Sequence, residues 1–369
     1  MRVLMLSKAC IVGIYQRKLE MIAAHHDIEL KALVPPFWKD ERGITPLERV
    51  YTQGYDLVET SIRFNGNFHL HYYPEAAAHI QSFKPDIVHI DEEPYNLSTF
   101  LALRAAQKHS TAKTVFFSWQ NIKRRYPFPF RLIEKYVLSN IDYALMGTQS
   151  ADDVWRAKGY RGPSAVIPQF GVDTDLFHPS TVASDAASPV LIGYAGRLVG
   201  EKGADLILQA LSRLQNLNWN FRIIGGGPAR EKLEQQAIEL GIKDRVHFVG
   251  LVPSVEMPDC MRELDILVLP SRTQRNWKEQ YGRVILEAMA SGAVVIGSDS
   301  GAIPDVIGDA GLIFPEDNVA RLVDSLRSLI KHPGKRQHYA AQGRERVLEH
   351  FTQQHIANQT VEIYRELIQ

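Results

Sequence analysis

Two carboxylates, Glu279 and Glu287, stand eight positions apart in EQYGRVILEAMASGAVVIGSDSGAIP, with Tyr281, Gly282 and Arg283 between them. Eight helical residues overshoot two turns by about 80°, so the two acids would not share a helix face. With Gly282 interrupting the run, Glu279 is expected in a loop and Glu287 inside the helix RVILEAMA. A cationic cluster lies upstream: after VLIGYAG, which ends in Gly196, come Arg197, Leu198, Val199, Gly200, Glu201, Lys202 and Gly203. A guanidinium and an ammonium between a strand end and a helix start suit a diphosphate, because helix amides and both cations favour anions. The same spacing also fits a solvated charged turn. In IIGGGP, Gly225, Gly226 and Gly227 let backbone approach a ligand, although GGGP is not the GxGxxG dinucleotide fingerprint. Ser300, Gly301 and Ala302 form a third turn of small residues with free amides. Three such turns point to one anionic ligand, and carboxylates among them point to its hydroxyls. A diphosphate flanked by hydroxyl-rich groups is a nucleotide sugar.

The amino-terminal half carries looser signals. DIVHIDEEP places Asp91, Glu92 and Glu93 after a strand, where like charges raise carboxyl pKa values unless hydroxyls or a cation hold them. Asp91 or Glu92 is expected to meet a sugar or acceptor hydroxyl; the alternative is an acidic loop in solvent. Gly13 is the single glycine in SKACIVGIYQRK, after the first strand. FSWQNIKRRYPFPFR mixes Lys123, Arg124, Arg125 and Arg131 with Phe128 and Phe130, a composition that fits an anionic membrane surface or an acceptor loop. His69 and His71 have the spacing of two ligands on one strand face but no acid or cysteine close in sequence, which favours packing or solvation. Asp173 and Asp175 read as structural, and His25, His26 and the 344–346 RER tract as ordinary surface.

The elements that position these residues follow from pattern. At 369 residues and 45% hydrophobic content, the chain is too long for one ordinary core and calls for two domains. Lys and Arg balance Asp and Glu at 42 each, so attraction of the whole protein to nucleic acid or lipid is not indicated. Two distant cysteines, Cys10 and Cys260, fit a reducing compartment and argue against structural zinc. No run of about 18 apolar residues appears, so a cytoplasmic protein is expected. Short β-branched runs alternate with helical stretches (RVLMLS, IELKALV, DIVHI, KTVFFS, YALMGT; then PVLIGYAG, NFRIIGGG, VHFVG, DILVLPS, VVIGS), the signature of βαβ units on a parallel sheet. The Ser/Ala/Pro-rich stretch 178–190 separates the two series as a linker. An α/β protein is therefore expected, with doubly wound domains at 1–180 and 187–351 facing across a cleft, motifs at the carboxyl ends of the strands, and a helix at about 352–369 returning to the first domain.

In this order the motifs resemble those of retaining family 4 glycosyltransferases, in the glycosyltransferase group 1 family of GT-B fold. EQYGRVILEAMASG is similar to that family's Glu, seven residues, Glu signature; GRLVGEKG resembles its diphosphate motif, IIGGGP its glycine turn, VHFVGLVP with DILVLPS its base-binding segment, and IPQFGVDTDLFHP its interdomain segment. The resemblance implies sugar transfer from a nucleoside diphosphate sugar, UDP by base rate, to a hydroxyl acceptor, with retention and without a metal. Arg197 and Lys202 would grip the diphosphate, Glu279 the sugar hydroxyls and Glu287 the ribose. Gly13, Gly196, Gly225, Gly226, Tyr281, Gly282 and Arg283 would line the donor, with Asp91 and Glu92 near the chemistry. Relatives often have a Gly-Gly loop where only Gly13 stands, and a histidine where Asp91 begins the acidic run. A nucleotide-sugar epimerase of the same fold and a non-catalytic nucleotide-sugar binder remain alternatives. The protein is expected in the cytoplasm, with peripheral contact at the inner membrane face open.

Overall fold

The computed structural model describes residues 1–40, 43–181 and 188–369. They divide into two compact units, Met1–Gly171 with Gln353–Gln369, and Val172–Thr352. The division falls ahead of the 178–190 stretch, of which residues 182–187 lie outside the described residues.

In the first unit the order is β1 (Arg2–Leu6), α1 (Arg17–Ala23), β2 (Glu29–Val34), β3 (Phe37–Asp40), β4 (Gly43–Pro46), β5 (Asp56–Glu59), α2 (Ala76–Phe83), β6 (Ile87–Ile90), α3 (Leu97–His109), β7 (Lys113–Ser118), α4 (Phe130–Asn140), β8 (Tyr143–Met146), α5 (Gln149–Ala157) and β9 (Ser164–Val166). Seven strands form one parallel sheet, ordered β5-β2-β1-β6-β7-β8-β9, with β3 and β4 as a separate antiparallel pair. Val3 to Leu6 of β1 and all of β6 are buried, as expected of strands covered by helices on both faces.

The second unit runs β10 (Val190–Ala195), α6 (Ala204–Ser212), β11 (Trp219–Ile224), α7 (Arg230–Glu239), β12 (Val246–Gly250), α8 (Met257–Arg262), β13 (Ile266–Leu269), α9 (Arg283–Ala290), β14 (Val294–Ser298), α10 (Ile303–Ile307), β15 (Leu312–Phe314), α11 (Val319–Lys331) and α12 (Pro333–His350). Its sheet is parallel, in the order β12-β11-β10-β13-β14-β15. The last helix, α13 (Gln353–Ile368), belongs to the first unit, where Ile356, Ala357, Val361 and Tyr364 are fully buried in the core with Val3, Met5 and Leu19.

In each sheet the first strand has successors on both sides. β1 pairs with β2 through Met5 and Ala32 and with β6 through Met5 and His89; β10 pairs with β11 through Ile192 and Phe221 and with β13 through Ile192 and Ile266. The crossovers from these strands diverge there, leaving a crevice at the carboxyl ends of β1 and β6 and another at those of β10 and β13. Residues 7–8 and 91–93 stand at the first, residues 196–203 and 270–279 at the second. No helix among the described residues is long and apolar enough to cross a membrane.

Candidate active site

In the second unit the chain turns after β10 through Gly196 and Arg197 and winds into a short helical turn, Gly200–Lys202, before α6. Tyr194 Oη donates to the Arg197 carbonyl at 2.7 Å and fixes the turn. The Arg197 side chain is exposed and has no partner among the described residues. Lys202 Nζ donates to Glu279 Oε2 at 2.6 Å and lies 4.9 Å from the Trp277 ring centroid. Ser271 Oγ donates to the same carboxylate oxygen at 2.8 Å. Glu279 is 6% exposed, so its charge is held by a cation and a hydroxyl rather than by bulk water.

Glu279 lies in the loop before α9, and Glu287 lies within that helix. Gly282, in the left-handed region at φ 71°, starts α9, a conformation that glycine adopts without steric cost. Glu287 is buried and accepts Arg283 Nε at 2.8 Å, one helical turn away. Tyr281 is buried beside them. The 299–303 turn touches Glu279 by its backbone: Gly301 sits at φ 57°, a Cβ there would collide with the Glu279 carbonyl, and Ala302 N donates to that carbonyl at 3.1 Å. The amides of Ala302 and Ile303 are thus taken, by Glu279 and Ser300, which corrects the expectation of free amides in this turn.

The glycine run joins the same construction. A Cβ on Gly225 would strike the Gly196 carbonyl, Gly225 N donates to Gly250 at 2.7 Å, and Leu198 N donates to the Gly226 carbonyl at 2.9 Å. These glycines lock the turn after β11 onto the turn that carries Arg197.

One organising residue escaped the sequence reading. Arg272 donates to both oxygens of Asp205 at 2.6 and 2.8 Å, to Asp317 at 2.5 Å and to the Gly200 carbonyl at 3.0 Å, while its amide donates to the Glu201 carbonyl at 2.7 Å. The hydrogen bond to Asp205 is the main cause holding its pKa above the usual range. Arg272 therefore clamps the turn that presents Lys202. Its position, two residues after the strand run ILVLP, was the available signal.

The first unit holds the acidic run inside, which excludes the solvent-loop alternative. Asp91 accepts Ser7 Oγ at 2.5 Å and Gln169 Nε2 at 2.9 Å; burial pushes its pKa up, against the pull of Lys18. Glu92 accepts Lys8 Nζ at 3.0 Å and lies 3.3 Å from His71 Nε2. Burial alone would raise Glu92, but Lys8 and His71 outweigh it and bring it down to about 2. Glu93 accepts Ser118 Oγ at 2.5 Å and Trp119 N at 2.8 Å, and burial pushes it up to about 7. His71 thus has an acid partner, correcting the sequence expectation; the sheet delivers Glu92 to it from 21 residues downstream. His69 packs among Tyr95, Tyr126 and Phe130.

Further corrections concern Gly13, Phe130 and the RER tract. The Gly13 amide donates to Glu48 Oε2 at 2.6 Å, so it is already bonded where the resemblance implies a donor contact; a loop 35 residues away folds back to take it. Phe130 is partly buried against His69, whereas Lys123, Arg124, Arg125, Phe128 and Arg131 are exposed. Arg344 donates to the carbonyls of Phe177 and Ala290, and Arg346 to those of Asp305 and Val306, so this tract is not ordinary surface. Asp173 caps its own turn by accepting Asp175 N at 3.0 Å. Among the described residues no group of three or more His, Cys, Asp or Glu could hold a metal ion.

Two parallel, doubly wound units define the GT-B class of two Rossmann-like domains, and solved structures bear this out. The chain is similar to HepE of Anabaena, crystallised with UDP (TM-score 0.74, 17% identity, 99% of this chain and 100% of that one), and to a glycosyltransferase of Rickettsia africae (TM-score 0.74, 17% identity, 100% and 98%). At such identities the likeness establishes the fold. Residues 183–346 match the model of the family described as glycosyl transferases group 1. The chain is 33% identical over 186 residues, 46% of its length and 51% of the relative's, to the lipopolysaccharide core biosynthesis mannosyltransferase LpcC of Rhizobium leguminosarum. It is 30% identical over 206 residues, 52% and 54%, to the GDP-mannose-dependent alpha-(1-6)-phosphatidylinositol monomannoside mannosyltransferase of Mycolicibacterium smegmatis. The matches span about half the length of these curated relatives.

Proposed function

We infer that the protein is a retaining glycosyltransferase that moves a sugar from a nucleoside diphosphate sugar to a hydroxyl acceptor. The observation that carries this reading is the Lys202–Glu279 pair at 2.6 Å, held at a sheet switch point beside the unpaired, exposed Arg197. The cations attract the diphosphate, and they stabilise it most as the bond from the sugar to the phosphate oxygen breaks and charge accumulates on the leaving group. Glu279 holds Lys202 and offers its carboxylate to sugar hydroxyls; Glu287 offers the ribose an acceptor from within α9. In the front-face course, the acceptor oxygen bonds to the anomeric carbon on the side the diphosphate leaves, and the acceptor proton passes to the departing phosphate. No protein base or metal is called for, since two side chains supply the countercharge.

The first test is thermal unfolding of the purified chain with UDP, GDP, ADP and TDP and their sugars, in EDTA. One nucleotide family should raise the unfolding temperature, and Arg197→Ala should abolish that rise. Failure of every nucleotide to shift the transition would sink the donor-site reading. Donor hydrolysis that yields a rearranged sugar and ignores added acceptors would favour the epimerase.

A further inference from the structure

We propose that Glu279 is a displaceable counter-ion on Lys202, which makes the site favour a sugar-bearing nucleotide over the spent nucleoside diphosphate and so drives product release. The inference rests on the donor-site reading and assigns that site a second property. A diphosphate and Glu279 compete for one ammonium. Lys202 Nζ donates to Glu279 Oε2 at 2.6 Å, and no other hydrogen-bond acceptor takes it among the described residues. The lysine side chain is 21% exposed and the glutamate side chain 9%, so water and salt screen their attraction little. An incoming diphosphate must draw the lysine away from a buried carboxylate, and breaking such a pair is costly because of the charge left behind.

What replaces the lysine decides the balance. With a nucleotide sugar, hydroxyls of the sugar donate to Glu279 and restore its hydrogen bonds. With the bare nucleoside diphosphate, the carboxylate loses its cation, gains no hydroxyl and faces a more highly charged phosphate. Once the sugar has been transferred, Glu279 therefore draws Lys202 back. The surroundings let this exchange proceed by side-chain rotation alone. Ala302 N holds the Glu279 carbonyl at 3.1 Å, and Arg272 N holds the Glu201 carbonyl, beside Lys202, at 2.7 Å. Ser271 Oγ, from a fully buried residue, donates to the same Oε2 at 2.8 Å and stays with it when the lysine leaves. Trp277 sits in a turn closed by Gln274 N on its carbonyl at 2.7 Å, with its ring centroid 4.9 Å from Lys202 Nζ. An indole face attracts a cation without neutralising it, so the ammonium stays at the site whichever anion holds it.

Titration calorimetry of the full chain with UDP, GDP and ADP, and with UDP-glucose, GDP-mannose and ADP-glucose, tests this. Glu279→Gln leaves Lys202 to the phosphates. The nucleoside diphosphate that the parent binds should then bind about tenfold to a hundredfold tighter, the usual span of coupled binding, while its sugar nucleotide should stay within about threefold of the parent. Ser271→Ala removes one hydroxyl and makes Glu279 depend more on Lys202, so it should weaken the nucleoside diphosphate severalfold; it carries the test if Glu279→Gln does not fold. The proposal is overturned if Glu279→Gln changes both ligands by the same factor, or if Ser271→Ala binds the nucleoside diphosphate as tightly as the parent. In either case the parent still binds nucleotide and the donor site stands. A parent chain that binds none of the six ligands overturns the donor site itself, and this inference with it.

Discussion

Arg272→Lys is the substitution that best separates a clamped phosphate turn from a turn that holds itself. The change keeps the positive charge and removes the planar fork. Lysine can retain one contact to Asp205 but cannot also reach Asp317 and the Gly200 carbonyl, which arginine engages at 2.5 and 3.0 Å. Hydrogen bonds to charged groups contribute about 1.5–3 kcal/mol each where they are shielded. The Arg272 side chain is 18% exposed and Asp205 31%, whereas Asp317 is 65% exposed, so solvent reduces the Asp317 contact to well under 1 kcal/mol. The lost arm to Asp205 and the lost carbonyl contact together come to about 3 kcal/mol. For a unit of this size that is a fall of about 6–12 °C in unfolding temperature, read by calorimetry. Because Arg272 also grips the backbone on both sides of Glu201, nucleotide affinity should drop about tenfold in titration calorimetry. Asp317→Ala serves as the control and should change either quantity little. The reasoning is refuted if Arg272→Lys unfolds within about 1 °C of the parent. It is equally refuted if stability falls while nucleotide affinity holds, because Arg272 would then support the fold and not the presentation of Lys202.

Other substitutions probe the remaining roles. Lys202→Ala should lower turnover about tenfold to a thousandfold, and an unchanged rate in a donor-hydrolysis assay removes Lys202 from the site. Glu287→Gln should raise the apparent donor KM with turnover nearly kept; loss of folded protein instead would assign Glu287 to packing. Glu92 and Glu93 should respond oppositely to pH. Glu92, held down at about 2 against its ordinary 4.5, contributes stability that is present above pH 4.5 and lost as pH falls through about 2. Glu92→Gln should therefore destabilise at pH 7, by about 2–4 kcal/mol, with Lys8 left uncompensated. Glu93, raised to about 7, favours the fold below pH 4.5 and ceases to do so as pH rises through about 7. Glu93→Gln should flatten that decline and raise stability at pH 8, by at most about 3 kcal/mol. Chemical denaturation across pH decides, and parallel behaviour of the two variants contradicts the assignment.

The fold was legible wherever strands are covered on both faces. Each of the ten apolar runs picked out in the sequence forms a parallel strand; nine of them are largely buried, as strands covered on both faces require, and the tenth, the edge strand β12 with Val246 alone buried, shows in its β-branched residues. The strands that escaped are edges or the small pair: β5 is exposed at both ends, β9 has no buried residue, β15 has one, and β4 is exposed throughout. Half-solvated strands of three or four residues carry no periodic signal to read.

The site shows a parallel division. Side chains that follow a strand directly, such as the acids at 91–93 after β6, announced themselves because a charge at the end of a buried run needs a partner. What the run does not say is who that partner is. Lys202 meets Glu279 across 77 residues, Asp91 meets Ser7 across 84, and the Gly13 amide meets Glu48 across 35. The first two pairings join strands that are neighbours only because the crossover reverses direction beside β10 and β1. The same topology sets opposite pKa values on adjacent acids: Lys8, at the end of β1, reaches Glu92, while Glu93 is turned toward the neutral donors Ser118 and Trp119 at the end of β7. Identical side chains one residue apart thus acquire different chemistry from which neighbouring strand each one faces.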